Sequence, residues 1–119
     1  MVTLLQIFIA LGIFNVWLLR FNQPTAWRGG DAQTMREEFR VYGLSDSMCN
    51  GVGVVKIGAA ALLIVGIWFP VVAQVAAAVI AVLMAAAVLM HVRVADPALK
   101  ASPAFCMCIL SVIVMLYNR

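Results

Sequence analysis

Apolar residues occupy this chain in four blocks, 2–19, 48–68, 71–92 and 101–117, broken by one long polar stretch and two short ones. A helix that spans a bilayer needs about 20 predominantly apolar residues, with a range of roughly 17–25. The first three blocks meet that length, and the last suffices with a modest mismatch. The pattern predicts an all-α protein, a four-transmembrane-helix bundle with helices over 2–20, 48–68, 71–92 and 101–117. Four spans leave almost nothing for a second unit, so residues 1–119 read as a single domain.

The long polar stretch, residues 24–47, carries helix signals of its own. Thr34-Met35-Arg36-Glu37 has the capping-box spacing, and Gly43 suits a helix C-terminus. Met35, Phe39 and Tyr42 recur at i, i+4 and i+7, one face of a helix over 35–42. That helix is predicted to lie on, or dip into, the membrane surface. Gly29-Gly30 supplies a turn before it, and Trp27 suits a membrane–water boundary.

Several residues speak to packing. Phe69-Pro70 forces a tight turn between the second and third spans, and Ser102-Pro103 is a start signal for the last. Ala73, Ala77, Ala81 and Ala85 recur every fourth residue, and the second span has Gly51, Gly53, Gly58 and Gly66. Small residues let helix backbones approach closely where lipid gives no hydrophobic push. Gln6 and Asn15 lie inside the first span, where either can hydrogen-bond across helices.

Composition agrees with the pattern. The chain is 66% hydrophobic and 11% charged, more apolar surface than a soluble fold of 119 residues could hide. The first span lacks a basic leading segment and a small-residue cleavage site, and reads as a retained helix. Basic residues gather on one side, with Arg20, Arg28, Arg36, Arg40, Arg93 and Lys100 at the two loops and Arg119 at the opposite end. The positive-inside rule places those loops in the cytoplasm and both termini outside. Nucleic-acid binding is excluded as a role, because the basic residues are few, mixed with acids and tied to helix ends.

Lys56 is the residue that asks for an explanation. It lies about 12 Å along its helix from Met48, at 1.5 Å per residue, and a charge at such depth is costly. His91 returns to the same side of the bundle, as do Glu37, Glu38 and Arg40 of the loop helix and Arg93. Two readings of Lys56 stand side by side. In one, its stem snorkels to the interface and only orients the helix. In the other it faces inward, paired with Glu37 or Glu38, and binds an anionic or carbonyl group. Small residues on both faces of the helix leave the choice open. His91 likewise either caps carbonyls at a helix end or exchanges a proton.

No metal-ligand spacing, phosphate loop or catalytic triad order is present. Cys106 and Cys108 are too close in sequence for a C-x-x-C redox pair, while Cys49 and Cys106 sit at loop-side helix ends where they could approach. Buried free thiols are the simpler expectation.

Glu38-Phe39-Arg40-Val41-Tyr42-Gly43-Leu44, then Val55-Lys56-Ile57-Gly58-Ala59-Ala60-Ala61-Leu62-Leu63, then Ala87-Val88-Leu89-Met90-His91-Val92-Arg93 with Asp96-Pro97, resembles the DoxX-like family of small membrane proteins. The likeness spans nearly the whole chain. It implies a four-helix bundle with a re-entrant or amphipathic first loop, in the bacterial cytoplasmic (inner) membrane. Its founding name comes from a subunit associated with a quinone-linked sulfur oxidoreductase, and other relatives are accessory proteins. The bundle also looks like that of vitamin K epoxide reductase, whose redox C-x-x-C this sequence lacks.

The leading expectation is an accessory or small-ligand-binding membrane subunit with no reaction of its own. A second is a quinone-binding component of a membrane oxidoreductase. There Lys56 or His91 would hydrogen-bond a carbonyl, with Trp27, Phe39 and Tyr42 lining the ring site. A third is a structural subunit or assembly factor that docks other membrane proteins. The candidate ligand-binding residues are Lys56, His91, Glu37, Glu38, Arg40, Tyr42, Trp27 and Arg93. The implied partners are the lipid bilayer and other membrane proteins. Quinone is the one cofactor suggested, and none is certain.

Overall fold

The computed structural model describes residues 2–19, 21, 32, 34–96 and 98–117. Helix α1 (Val2–Phe14) continues into a π-helical segment, Asn15–Leu19, followed by α2 (Met35–Val41), α3 (Asp46–Val65), α4 (Pro70–Arg93) and α5 (Ala98–Tyr117). Among the described residues there is no strand. Four of the helices are long and apolar enough to cross a membrane, so the all-α four-span architecture holds. The bundle is 40 Å along its longest axis, enough for a hydrocarbon core of about 30 Å. Its outside is apolar, with Leu4 of α1, Val54 of α3, Leu89 of α4 and Phe105 of α5 all exposed.

The loop helix forms where its caps demand. Thr34 Oγ1 accepts from the Glu37 amide at 3.2 Å, and Met35, Phe39 and Tyr42 are all buried. At its end Gly43 has φ +80°, Leu44 N–H donates to Phe39 O and Gly43 N–H to Arg40 O. Those two bonds make a Schellman turn, which needs a left-handed residue and explains the glycine. Arg36 Nη2 donates to Asn50 Oδ1 at 2.9 Å and ties α2 to α3.

The long helices differ from expectation at their ends. Helix α3 starts at Asp46, two residues before the apolar block, because Ser45 caps it by accepting from Met48 N–H. It stops at Val65 rather than Trp68. The amides of Ile67, Trp68 and Phe69 bond three residues back, and Pro70 keeps Phe69 out of the helical region. Helix α5 begins at Ala98, so Pro103 lies inside it rather than near its start. Proline brings no N–H to that turn, a defect that packed membrane helices tolerate.

The core runs along one stripe of α4, Ala73, Ala76, Ala77, Ile80, Ala81 and Met84, with Ala85 exposed. A four-residue repeat drifts about 40° per step on a helix of 3.6 residues per turn, so the alanine series rotates off the interface by its fourth member. Of the glycines, Gly66 has room for no side chain: a Cβ there would lie 2.6 Å from Ala73 Cα. Gly53 is packed against Trp17, whereas a Cβ at Gly51 or Gly58 would meet no atom of the described residues within 4 Å. Gln6 does bond across helices, donating to Leu63 O at 2.9 Å. That carbonyl is in the last turn of α3, where the helix itself supplies no donor.

Candidate functional site

A cavity of about 710 Å³ lies beneath α2, between the loop-side halves of the spanning helices. Its wall is mostly apolar, and four methionines, Met35, Met84, Met90 and Met107, contribute adaptable surface. Five ionisable side chains line it: Glu38 from α2 and Tyr42 at its C-terminal end, Lys56 from α3, His91 from α4 and Lys100 from α5.

Lys56 points inward. It shares the buried stripe Cys49, Gly53, Lys56, Ala59, Ala60 and Leu63, and is 9% exposed. Its Nζ lies 5.4 Å from the centroid of the Trp17 ring, and Glu38 is the acid whose charge bears on it. A cation over an indole face gains about 0.5–2 kcal/mol, more as water is excluded. Trp17 occupies the π-helical segment, and Gly53 lets its ring lie against α3: a Cβ at 53 would stand 2.8 Å from Trp17 Cζ3. π-helical turns are often found at functional sites. The rings continue in order as Phe21, Trp17, Phe39, Tyr42 and His91, with neighbouring centroids 5.7–6.4 Å apart.

Tyr42 joins the site to the third loop. Its hydroxyl donates to Glu38 Oε1 at 2.7 Å and lies 3.3 Å from His91 Nε2 and 3.5 Å from Nδ1. His91 Nδ1 is 2.8 Å from Asp96 Oδ2, which fixes Nδ1 as a protonated nitrogen. Lys100 Nζ stands 4.0 Å from the other Asp96 oxygen. Asp96 reaches back because α4 also ends in a Schellman turn: Asp96 N–H donates to His91 O and Ala95 N–H to Val92 O. Here the left-handed position is held by Ala95, at φ 57°. An L-residue in that conformation costs roughly 1–2 kcal/mol. Ala95→Gly is therefore expected to stabilise the protein by about 0.5–1 kcal/mol, after the entropy a glycine loses on folding. A higher thermal midpoint in detergent checks it; a lower one would mean that the alanine methyl is packed.

Of the residues singled out from the sequence, Lys56, His91, Glu38 and Tyr42 come together on the cavity wall. Glu37, Arg40 and Arg93 do not line it. Glu37 and Arg40 share the exposed face of α2, opposite Phe39, and Arg93 is two residues, about 200°, round the helix from His91. Arg40 instead pairs with Asp46 at 3.0 Å, and that bond raises the guanidinium above its already high ordinary value. Trp27, the Gly29-Gly30 turn, Arg20, Arg28, Pro97 and Arg119 lie outside the described residues. None of the three cysteines is in a disulfide: Cys49 is buried as expected, but Cys106 is exposed and Cys108 half-buried. Among the described residues no cluster of His, Cys, Asp and Glu is arranged to hold a metal ion.

Trp17, Asp96 and Lys100 belong to the site and were not singled out for it. Trp17 reads as an interfacial tryptophan until its partner Gly53 is known. His91 and Asp96 are five apart, a spacing that on a continuous helix would point them to different faces. Only the chain reversal at Ala95 brings them together.

No curated protein and no solved structure matches the chain. Comparison with protein families matches residues 5–114 to the DoxX-like family, which is nearly the whole chain. With four helices apolar and long enough to span a bilayer, the chain is an integral membrane protein and belongs to the DoxX-like family.

Proposed function

We propose that this protein is a membrane-embedded binding subunit, in the bacterial cytoplasmic membrane, that holds a small and largely apolar molecule beneath α2. The ligand carries an electron-rich oxygen, and the protein alone performs no reaction on it. The observation that supports this reading is the buried ammonium of Lys56 on the wall of an otherwise apolar cavity of about 710 Å³. That volume is within the range of small-molecule sites, which combine apolar walls with a few orienting polar groups. An ammonium in such a place donates a charge-assisted hydrogen bond worth about 1.5–3 kcal/mol.

A quinone fits this description, and the ring ladder favours it. Trp17, Phe39 and Tyr42 offer aromatic surface to a flat head group, while Lys56 and His91 can each donate to a carbonyl. Trp17 takes the position in this reading that the sequence suggested for Trp27. The loops at the α2 side face the cytoplasm by their basic residues, so the ligand would be met by partner proteins on that face.

Titration of the purified protein with a short-chain benzoquinone, followed by tryptophan quenching, tests the reading. Saturation near one molecule per chain supports it. A linear rise without saturation, as simple partition into detergent gives, would sink it. Turnover of a quinol or thiol by the protein alone would overturn the accessory assignment.

A further inference from the structure

We infer that the cavity opens sideways into the bilayer along the seam between α1 and α5, and that its ligand is an amphiphile. A carbonyl-bearing head group reaches Lys56, and a hydrocarbon chain leaves through the side opening. The inference rests on the binding reading above and adds the second half of the ligand and the route by which it arrives.

On the loop side the cavity is roofed by α2. Met35, Phe39 and Tyr42 turn into the cavity and are buried. The roof is tied down along its length. Met35 N–H donates to Phe21 O at 2.9 Å, Arg36 donates to Asn50 of α3 at 2.9 Å, and Arg40 pairs with Asp46 at 3.0 Å.

The side wall is different. Among the described residues that line the cavity, four are exposed: Asn15 and Val16 of the π-helical segment, Ala86 of α4 and Pro103 of α5. Three of these four belong to the two helices that border one seam. Helices α1 and α5 run in opposite directions and touch at Gly12, where a Cβ would collide with Met107 Cε. Val16 is four residues beyond Gly12, and Pro103 is four residues before Met107. Residues four apart share a helix face, so Val16 and Pro103 stand one turn nearer the loops on the same two facing sides. Gly12 and Met107 close the seam, and above them the exposed Val16 and Pro103 mark the opening. Ala86 lies on α4, which packs on α3 and α5 and does not border this seam.

Depth and chemistry both fit a chain. The opening lies about 5–10 Å from the loop-side end of the first span at Leu19, and Lys56 about 12 Å from Met48, at 1.5 Å per residue. Head site and opening are therefore at similar levels, within the apolar part of the bundle. The rim is Gly12, Val16, Pro103 and Met107, with Asn15 as its polar member. Such an opening meets lipid chains, so a ligand already dissolved in the bilayer reaches it without crossing the roof. A hydrocarbon chain passing through has no polar group to desolvate. Met107, unbranched and with three rotatable bonds, can move aside for it.

The short-chain benzoquinone of the titration above and the same head group carrying a decyl chain separate head from chain. A photoreactive diazirine at the end of the decyl chain should label peptides containing Gly12–Val16 and Pro103–Met107, and excess decylbenzoquinone should suppress that labelling. Pro103→Phe fills the rim and is expected to weaken the decyl compound about tenfold, the loss of roughly two buried methylenes, while leaving the short-chain compound within about twofold. Val16→Phe makes the same test from the facing helix if Pro103→Phe does not fold. Leu89→Phe, at an exposed position of α4 that does not line the cavity, should change neither. Each comparison uses one ligand in one detergent, so partition cancels. Label on α4 around Ala86, or spread evenly over the lipid-facing residues, overturns the side opening. Decyl binding that is unchanged in both rim variants does so too. In either case saturable binding of the short-chain compound leaves the binding reading intact. Saturation by neither compound overturns both.

Discussion

Lys56→Met is expected to raise the stability of the protein while weakening its hold on ligand by about ten- to hundred-fold. The two effects have opposite signs because one charge is responsible for both. Lys56 is buried on the inward face of α3, and holding an ion away from water costs several kcal/mol even after the protein relaxes. The return is partial: an indole face contributes about 0.5–2 kcal/mol, and Glu38 adds a screened attraction. Methionine has a similar length and can fill the same space among the cavity's other methionines. Its thioether has no ion to desolvate, so a net gain of about 1 kcal/mol is expected. The same change removes the charge-assisted donor, worth about 1.5–3 kcal/mol to a bound carbonyl or anion. Thermal unfolding in detergent and quinone titration measure the two halves. A lower midpoint with unchanged binding would make Lys56 a structural anchor, the alternative that helical phase alone left open.

Gly53→Val is expected to lower stability by about 1–3 kcal/mol and to abolish the cavity's order around Lys56. A first carbon at position 53 would already stand 2.8 and 2.9 Å from two atoms of the Trp17 ring, and valine adds two methyl groups beyond it. The ring cannot flex aside as an aliphatic chain would. It is also hemmed in by Phe21 and Phe39, at 5.9 and 6.0 Å between centroids. Relief requires moving the π-helical segment away from α3, which takes the indole off Lys56. Thermal unfolding and tryptophan emission report the result. Full stability with unchanged emission would show that α1 and α3 have slack, and that the close approach of Trp17 is incidental.

How much of this was readable beforehand differs between the frame and the site. The loop helix is a case where local chemistry suffices: Thr34 caps it, Gly43 ends it, and Met35, Phe39 and Tyr42 turn inward at the expected spacing. The helix ends were less readable, as Pro103 shows, because a proline inside a packed membrane helix costs less than one in water. Within the site, Glu38 and Glu37 are indistinguishable as residue types. Their 100° separation on α2 decides that one lines the cavity and the other faces out.

By itself the sequence determined the solvent, the helix count and the polar residues available, since burial in lipid and helix capping act through residue type and near-neighbour spacing. It determined too that Lys56 must be explained. Only the tertiary structure decided that Lys56 turns inward, that Trp17 lies over it, and that Tyr42, His91 and Asp96 join in one chain. Those facts depend on the rotation of each helix about its axis and on two chain reversals, at Gly43 and Ala95. Helix rotation is set by packing between segments far apart in sequence, where most faces of an apolar helix are alike to lipid, and a one-dimensional pattern holds too little contrast to fix it.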